Sequence, residues 1–231
     1  GIADSDEGYS DSDGDGIGDY LDNDSNPTRL PSAENTEPLQ VTPGLSLSLG
    51  RIIASQGSLS EYASLTMEDL KMLVGAQAAD PTDNHYEAIT PLYNFVVSGL
   101  SKQGDMIEVI IPLANGTSFP SHAIYRKYNT EFGWFTFVED QFNKVSSAKL
   151  DESGYCPAAN DERYTYGITQ GDHCLKLTIE DGGPNDSDFM GNSSIEDPGV
   201  VSIPKENHPP LIVISERFEV DEETLTTLDA S

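Results

Sequence analysis

The chain has 231 residues, with 12 Lys+Arg against 40 Asp+Glu, a formal charge of −28 and a pI near 4.1. Such a balance argues against direct binding of nucleic acid, which needs clustered basic side chains, and against docking on anionic lipid. The longest apolar runs, Val109-Ile110-Ile111 and Leu211-Ile212-Val213-Ile214, are far too short to span a bilayer, and no signal-peptide pattern opens the sequence.

The acidity is concentrated at the start. Residues 1–37 carry eleven acidic side chains against one base, Arg29, and few large apolar residues. A stretch like this buries no core of its own, so its order must come from something else. Within it, residues 11–22 read DSDGDGIGDYLD. Asp11, Asp13 and Asp15 alternate, Gly16 permits a sharp turn, Ile17 offers its backbone carbonyl, and Asp19 and Asp22 follow. This is the ligand order of an EF-hand loop at positions 1, 3, 5, 7, 9 and 12, with Asp in place of the usual closing Glu and without the flanking helices. The chemistry expected is Ca2+ binding, because a hard cation gathers many oxygens and the chain must turn tightly to supply them. The alternative is a solvated acidic tail.

The pattern recurs. Residues 1–7 align with residues 16–22 at an offset of fifteen, so Ile2, Asp4 and Glu7 fill the last three ligand positions of a preceding loop. Asp24, with Asp22 and Asn26, is placed to bridge a further ion. The DxDxDGxxD string resembles thrombospondin type 3 repeats and related bacterial calcium repeats over residues 1–25. That resemblance implies calcium-stabilised rods that space or join extracellular domains.

Residues 26–44 are rich in Pro, Ser, Thr and Asn and predict a linker. From 45 the pattern changes. Leu45, Leu47 and Leu49 alternate with small polar residues, as in a half-buried strand. Further strands are expected at 92–98, 106–111, 123–128, 134–138 and 174–180, the last with Leu175, Leu177 and Ile179 on one face. One helix is expected over 67–74, where Thr66 and Asp69 approximate a capping box. Short strands separated by Gly, Pro, Asn and Asp favour a mainly β fold, an antiparallel β-sandwich, over a βαβ layout. The aromatic group Tyr125, Tyr128, Trp134, Phe135 and Phe137 suits either a sandwich core or a sugar-binding face.

Two side-chain sets remain. Cys156 and Cys174 are the only cysteines, and in an exported protein they suit a disulfide; free thiols are the alternative. The segment 180–197 is rich in Asp, Asn and Gly. Asp181, Asp186, Asp188, Asn192 and Asp197 there are candidate calcium ligands, or else Asx turns bonding their own backbone. No zinc spacing, GxSxG elbow, Walker loop or dinucleotide fingerprint occurs, so catalysis is not expected. Residues 204–231 predict a linker and the first strands of a further β module, hence a longer polypeptide.

Over 45–203 the chain resembles the bacterial choice-of-anchor U domain. The match is carried by AIYRKY at 123–128, GWFTFVED at 133–140, the Cys156-Pro157 step, residues 166–188, and Asp197-Pro198-Gly199. Phe189 stands where that pattern has Gly. The resemblance implies a non-catalytic β module at a bacterial surface or secreted from it. The function expected is therefore an extracellular calcium-binding structural or adhesive module, partnered by neighbouring domains of its own chain. The competing expectations are a module that binds a glycan or a protein surface, and a non-catalytic appendage of a secreted hydrolase.

Overall fold

The computed structural model describes residues 10–22, 24–55, 60–74 and 78–205. Ile2, Asp4 and Glu7, and the module expected beyond 205, lie outside the described residues. The described chain forms β1 (Arg29–Leu30), β2 (Leu39–Val41), β3 (Ser46–Leu49), α1 (Arg51–Ala54), β4 (Ser64–Leu65), α2 (Met67–Leu73), β5 (Tyr86–Ala88), β6 (Leu92–Ser98) and β7 (Met106–Pro112). It continues through β8 (Ile124–Asn129), β9 (Gly133–Thr136), β10 (Lys144–Ala148), β11 (Thr165–Tyr166), β12 (Cys174–Glu180) and β13 (Ser194–Pro204).

These strands make two antiparallel sheets, consistent with a β-sandwich. One has the order β1-β2-β7-β12-β10-β11 and the other β3-β6-β13-β8-β9, with β4 pairing β6 and β5 pairing β13. The core between them is built from the alternating apolar positions. Leu175, Leu177 and Ile179 of β12 are fully buried, as are Val109 and Ile111 of β7 and Phe95 and Val97 of β6. Tyr125, Tyr128 and Phe137 are also buried, so they serve as packing rather than as a ligand face. In α2, the Thr66 hydroxyl accepts a bond from the Asp69 N–H at 3.1 Å and donates to the Asp69 carboxylate at 2.6 Å, a reciprocal cap that starts the helix where the sequence places it.

Residues 26–44 are not a linker. β1 and β2 extend the six-stranded sheet, Gln40 and Val41 pairing with Ile110 and Val109, and Leu30 and Leu39 are fully buried. The segment reads as polar because each strand contributes only one or two core side chains among many turn residues. β13 was equally hidden, since its sequence SIEDPGVVSIP breaks alternation. Pro198 is tolerated there because Ser194 to Gly199 pair with β6 while pairing with β8 begins only at Gly199. Gly199 in turn receives the Tyr125 ring, which a Cβ would overlap.

Beside this step lies a fully buried ion pair. Lys127 Nζ of β8 donates to Asp197 Oδ1 of β13 at 2.5 Å, and both side chains are entirely shielded from solvent. Burial pushes the Lys127 ammonium down and the Asp197 carboxyl up, and each holds the other charged against that desolvation. The Cys156–Cys174 disulfide is present, with Cα atoms 5.6 Å apart. It pins the loop before β11 onto the outer face of β12, where Ile110, Ala148 and Ala159 form a small second core with the two cysteines.

Two outcomes are expected. Lys127→Met leaves Asp197 buried without its counter-charge, with only the Tyr125 hydroxyl donating to it at 3.4 Å, and should lower unfolding stability by about 3–5 kcal/mol in a denaturant titration, while adding Asp197→Leu should recover most of the loss. Reduction of Cys156–Cys174 should cost about 3 kcal/mol, read as a lower melting temperature in reductant; an unchanged melt would show that the loop is held by packing alone.

Candidate metal centre

The 11–22 loop is wound around one carboxylate. Asp11 Oδ1 accepts from the N–H groups of Gly14 at 2.8 Å and Asp15 at 3.2 Å, and Asp11 Oδ2 accepts from Gly16 at 2.9 Å. Gly14 and Gly16 have φ of 78° and 94°, conformations that a side chain rarely allows, so the tight turn depends on glycine at both. The loop is closed at its base by Asp19. Its N–H donates to the Ser10 carbonyl at 2.8 Å, and its carboxylate accepts from the Ser12 N–H at 2.8 Å and the Ser12 hydroxyl at 2.9 Å. Hydrogen bonds from Ser10 and Ser12 hold the Asp19 carboxyl below the usual range.

This winding brings Asp11, Asp13 and Asp15 together, with one carboxylate oxygen of each within 4.8 Å of the others. Asp15 is fully buried. Its Oδ1 accepts from the Ile17 N–H at 2.7 Å, but its Oδ2 and the Oδ2 of Asp13 are buried with no hydrogen-bond donor. Burial pushes the Asp15 carboxyl up to about 7, against the Ile17 bond and with the charges of Asp13, Asp22 and Asp11 adding to the rise. Asp13 is raised by burial, then by the charge of Asp22. Asp22 therefore stands near the cluster, although its Oδ1 also accepts from the Asp24 N–H at 2.9 Å. Asp24 itself is engaged by Arg29 at 3.0 Å, so it faces a guanidinium rather than the cluster.

The loop is fastened to the sandwich. Ile17 inserts into the main core, and the outward N–H groups of β3 donate from Leu49 to the Asp15 carbonyl and from Leu47 to the Pro27 carbonyl, each at 2.7 Å. Burying Ile17 stabilises the loop by about 1.5–3 kcal/mol. Against that anchor stands the desolvation of the buried Asp15 carboxylate, one of whose oxygens meets no donor, and of the half-buried Asp13, which also has one such oxygen. The ligand atoms are all hard oxygens and no His or Cys joins them, which fits calcium, with about six to eight oxygens at about 2.3–2.6 Å, and not zinc.

The second acidic segment is arranged differently. Asp181 Oδ2 accepts from the N–H groups of Gly104 at 2.9 Å and Ser193 at 3.0 Å, and its Oδ1 from Asn192 at 3.1 Å. Asp186 accepts from the Gly182 N–H at 2.9 Å and the Glu196 N–H at 3.1 Å, and burial pushes its carboxyl up to about 6. Asp188 accepts from the Met190 N–H at 2.9 Å and the Asn192 side-chain amide at 2.8 Å, and Asn192 Oδ1 accepts from the Ser194 N–H at 2.9 Å. Asp197 is committed to Lys127. The carboxylates expected to gather around an ion at 181–197 are thus turned to separate backbone donors and a lysine. Among the described residues, Asp11, Asp13 and Asp15 form the one cluster of three or more carboxylate, His or Cys side chains with this convergence.

Compared with family models, with curated proteins and with solved structures, the chain matches none.

Asp15→Asn should have effects of opposite sign with and without cation. Removing an uncompensated buried charge should raise the melting temperature of the metal-free protein. It should also weaken calcium binding at least about tenfold by calorimetry. Calcium affinity equal to that of the unsubstituted protein would remove Asp15 from the ligand set.

Proposed function

We propose that this protein is an extracellular calcium-binding structural or adhesive module. The reading rests chiefly on the two buried carboxylate oxygens of Asp13 and Asp15, which face no donor from the chain and share their site with Asp11. The hydrogen-bonded winding of an EF-hand-like loop around Asp11 supports it. In this reading Asp11, Asp13, Asp15, the Ile17 carbonyl and Asp22 hold the ion, while Asp19 closes the loop through Ser12. The resemblance of the 11–22 string to thrombospondin type 3-like repeats belongs to the same proposal, as does a choice-of-anchor U-like identity for the sandwich.

The Cys156–Cys174 disulfide favours an oxidising compartment, which supports a secreted or surface location. A charge of −28 keeps such a module soluble and repels anionic surfaces unless divalent cations bridge them. The role proposed for the ion is mechanical. Calcium binding supplies folding free energy to a loop that covers the outer edge of β3 and enters the core through Ile17.

The test is limited proteolysis and thermal melting of the full chain in calcium and in chelator. In chelator the first cuts should fall within residues 10–25, the melting temperature should drop, and the sandwich should resist longer. Identical cleavage order and identical melts in both conditions would overturn the proposal.

A further inference from the structure

The β8–β9 turn and the loop before β13 bring three phenylalanine rings together on one exposed patch. Phe132, at the tip of the turn, is 54% exposed, and its ring centroid lies 5.4 Å from that of Phe135 and 6.0 Å from that of Phe189. Phe189 is 47% exposed and its neighbour Met190 58%. The frame beneath them is stiff. The Glu131 N–H donates to Asn129 Oδ1 at 2.8 Å, the Asn129 amide reaches the Ser187 carbonyl at 3.4 Å, and Asp181, Asp186 and Asp188 stitch the loop as described above.

Phe189 incurs two local costs at once. Its φ of 54° lies in the left-handed region, where glycine is unstrained and a bulky aromatic is an outlier. Its ring also stays largely in water. Backbone strain of this kind clusters at ligand clamps and switch regions, and contiguous exposed apolar patches mark interaction sites. Phe189 and Met190 form one wall of a groove of about 590 Å³, and the Phe132 and Phe135 rings lie outside its lining, reached from it through Phe189. Glu131, Asp188 and Glu196 line it too, against one cation among the described residues, Arg51, which pairs with Glu196.

We propose that this acidic groove, together with the phenylalanine patch that adjoins it at Phe189, docks an extended segment of a partner protein through its lysine or arginine side chains. A basic side chain over the phenylalanine faces gains cation–π attraction, and Glu131 and Asp188 supply the counter-charge. A second copy of this chain is a poor occupant, because each copy carries −28. A neutral sugar would use the rings but leave the carboxylate excess uncompensated. The proposal is independent of the 11–22 loop and goes beyond its reading.

The test uses the full chain in calcium-containing buffer at physiological salt and a fluorescein-labelled KGKGKGKGK peptide, followed by anisotropy. The expected result is binding that weakens about tenfold or more in the Phe132→Ser/Phe189→Gly double variant, whose net charge is unchanged. Phe189→Gly alone should bind more weakly while melting no lower than the unsubstituted protein, which separates lost contact from lost fold. Glu131→Gln with Asp188→Asn should weaken binding as well. Equal affinity in the phenylalanine double variant would overturn the proposal, since overall charge would then explain the binding, as would no binding to the original protein. It would also be overturned by binding of a neutral glucan oligosaccharide, or by self-association in sedimentation, that the double variant abolishes.

Discussion

Buried negative charge is the constraint around which this molecule is organised. A carboxylate removed from water needs a compensating charge or a set of donors; two places in the chain meet that need in different ways and a third does not meet it from within the chain. Asp197 has Lys127, delivered across the strand pair at 2.5 Å. Asp181 and Asp186 have backbone N–H groups, gathered from their own loop, from Gly104 and from Glu196. Asp13 and Asp15 each keep a buried oxygen with neither. The first two arrangements are complete within the protein. In the third the chain itself supplies no partner for those two oxygens, and that difference, rather than the number of acidic residues, separates the 11–22 loop from the rest of an acidic chain.

The position of that loop determines what a bound ion could accomplish. β3 is an outer strand of the seven-stranded sheet, and its outward N–H groups at Leu47 and Leu49 are taken by the carbonyls of Pro27 and Asp15. An uncovered edge is a template for pairing with other chains, so the loop doubles as an edge cover. Ile17 ties the same loop into the core. Stabilising the loop is therefore not a local event at the end of a rod. It reaches the sheet edge through the Asp15 carbonyl and the core through the Ile17 side chain.

How much of this was legible in the sequence depends on how local the determinant is. The strands at 92–98 and 174–180 are found at the expected bounds because their alternation and turn signals lie within a few residues. The convergence of Asp11, Asp13 and Asp15 is legible for the same reason: the spacing and the two glycines set the turn by themselves. β1, β2 and β13 were not, because their strand character comes from partners. Pro198 and Gly199 look like a turn until Tyr125 and the staggered pairing of β6 and β8 are known. The 181–197 segment has the same composition as a calcium loop, yet Lys127, Gly104 and the β13 backbone answer its carboxylates from elsewhere in the sequence. Phe132 stands outside the alternation of its neighbours, and its only local signal is a phenylalanine between Glu131 and Gly133 at a turn.

The loop before β13 shows why stitching without a metal need not be idle. A loop whose carboxylates bind its own backbone loses little further entropy when something docks on it. Asp188 fixes Met190 through its N–H, and Asp186 accepts from Gly182 and Glu196 on either side, so the segment that carries Phe189 is braced at both ends. A glycine at 189 would relax the backbone but leave Phe132 without that ring partner. The fold therefore carries a strained, water-facing aromatic on a braced mount, a local cost that the docking proposed above would offset.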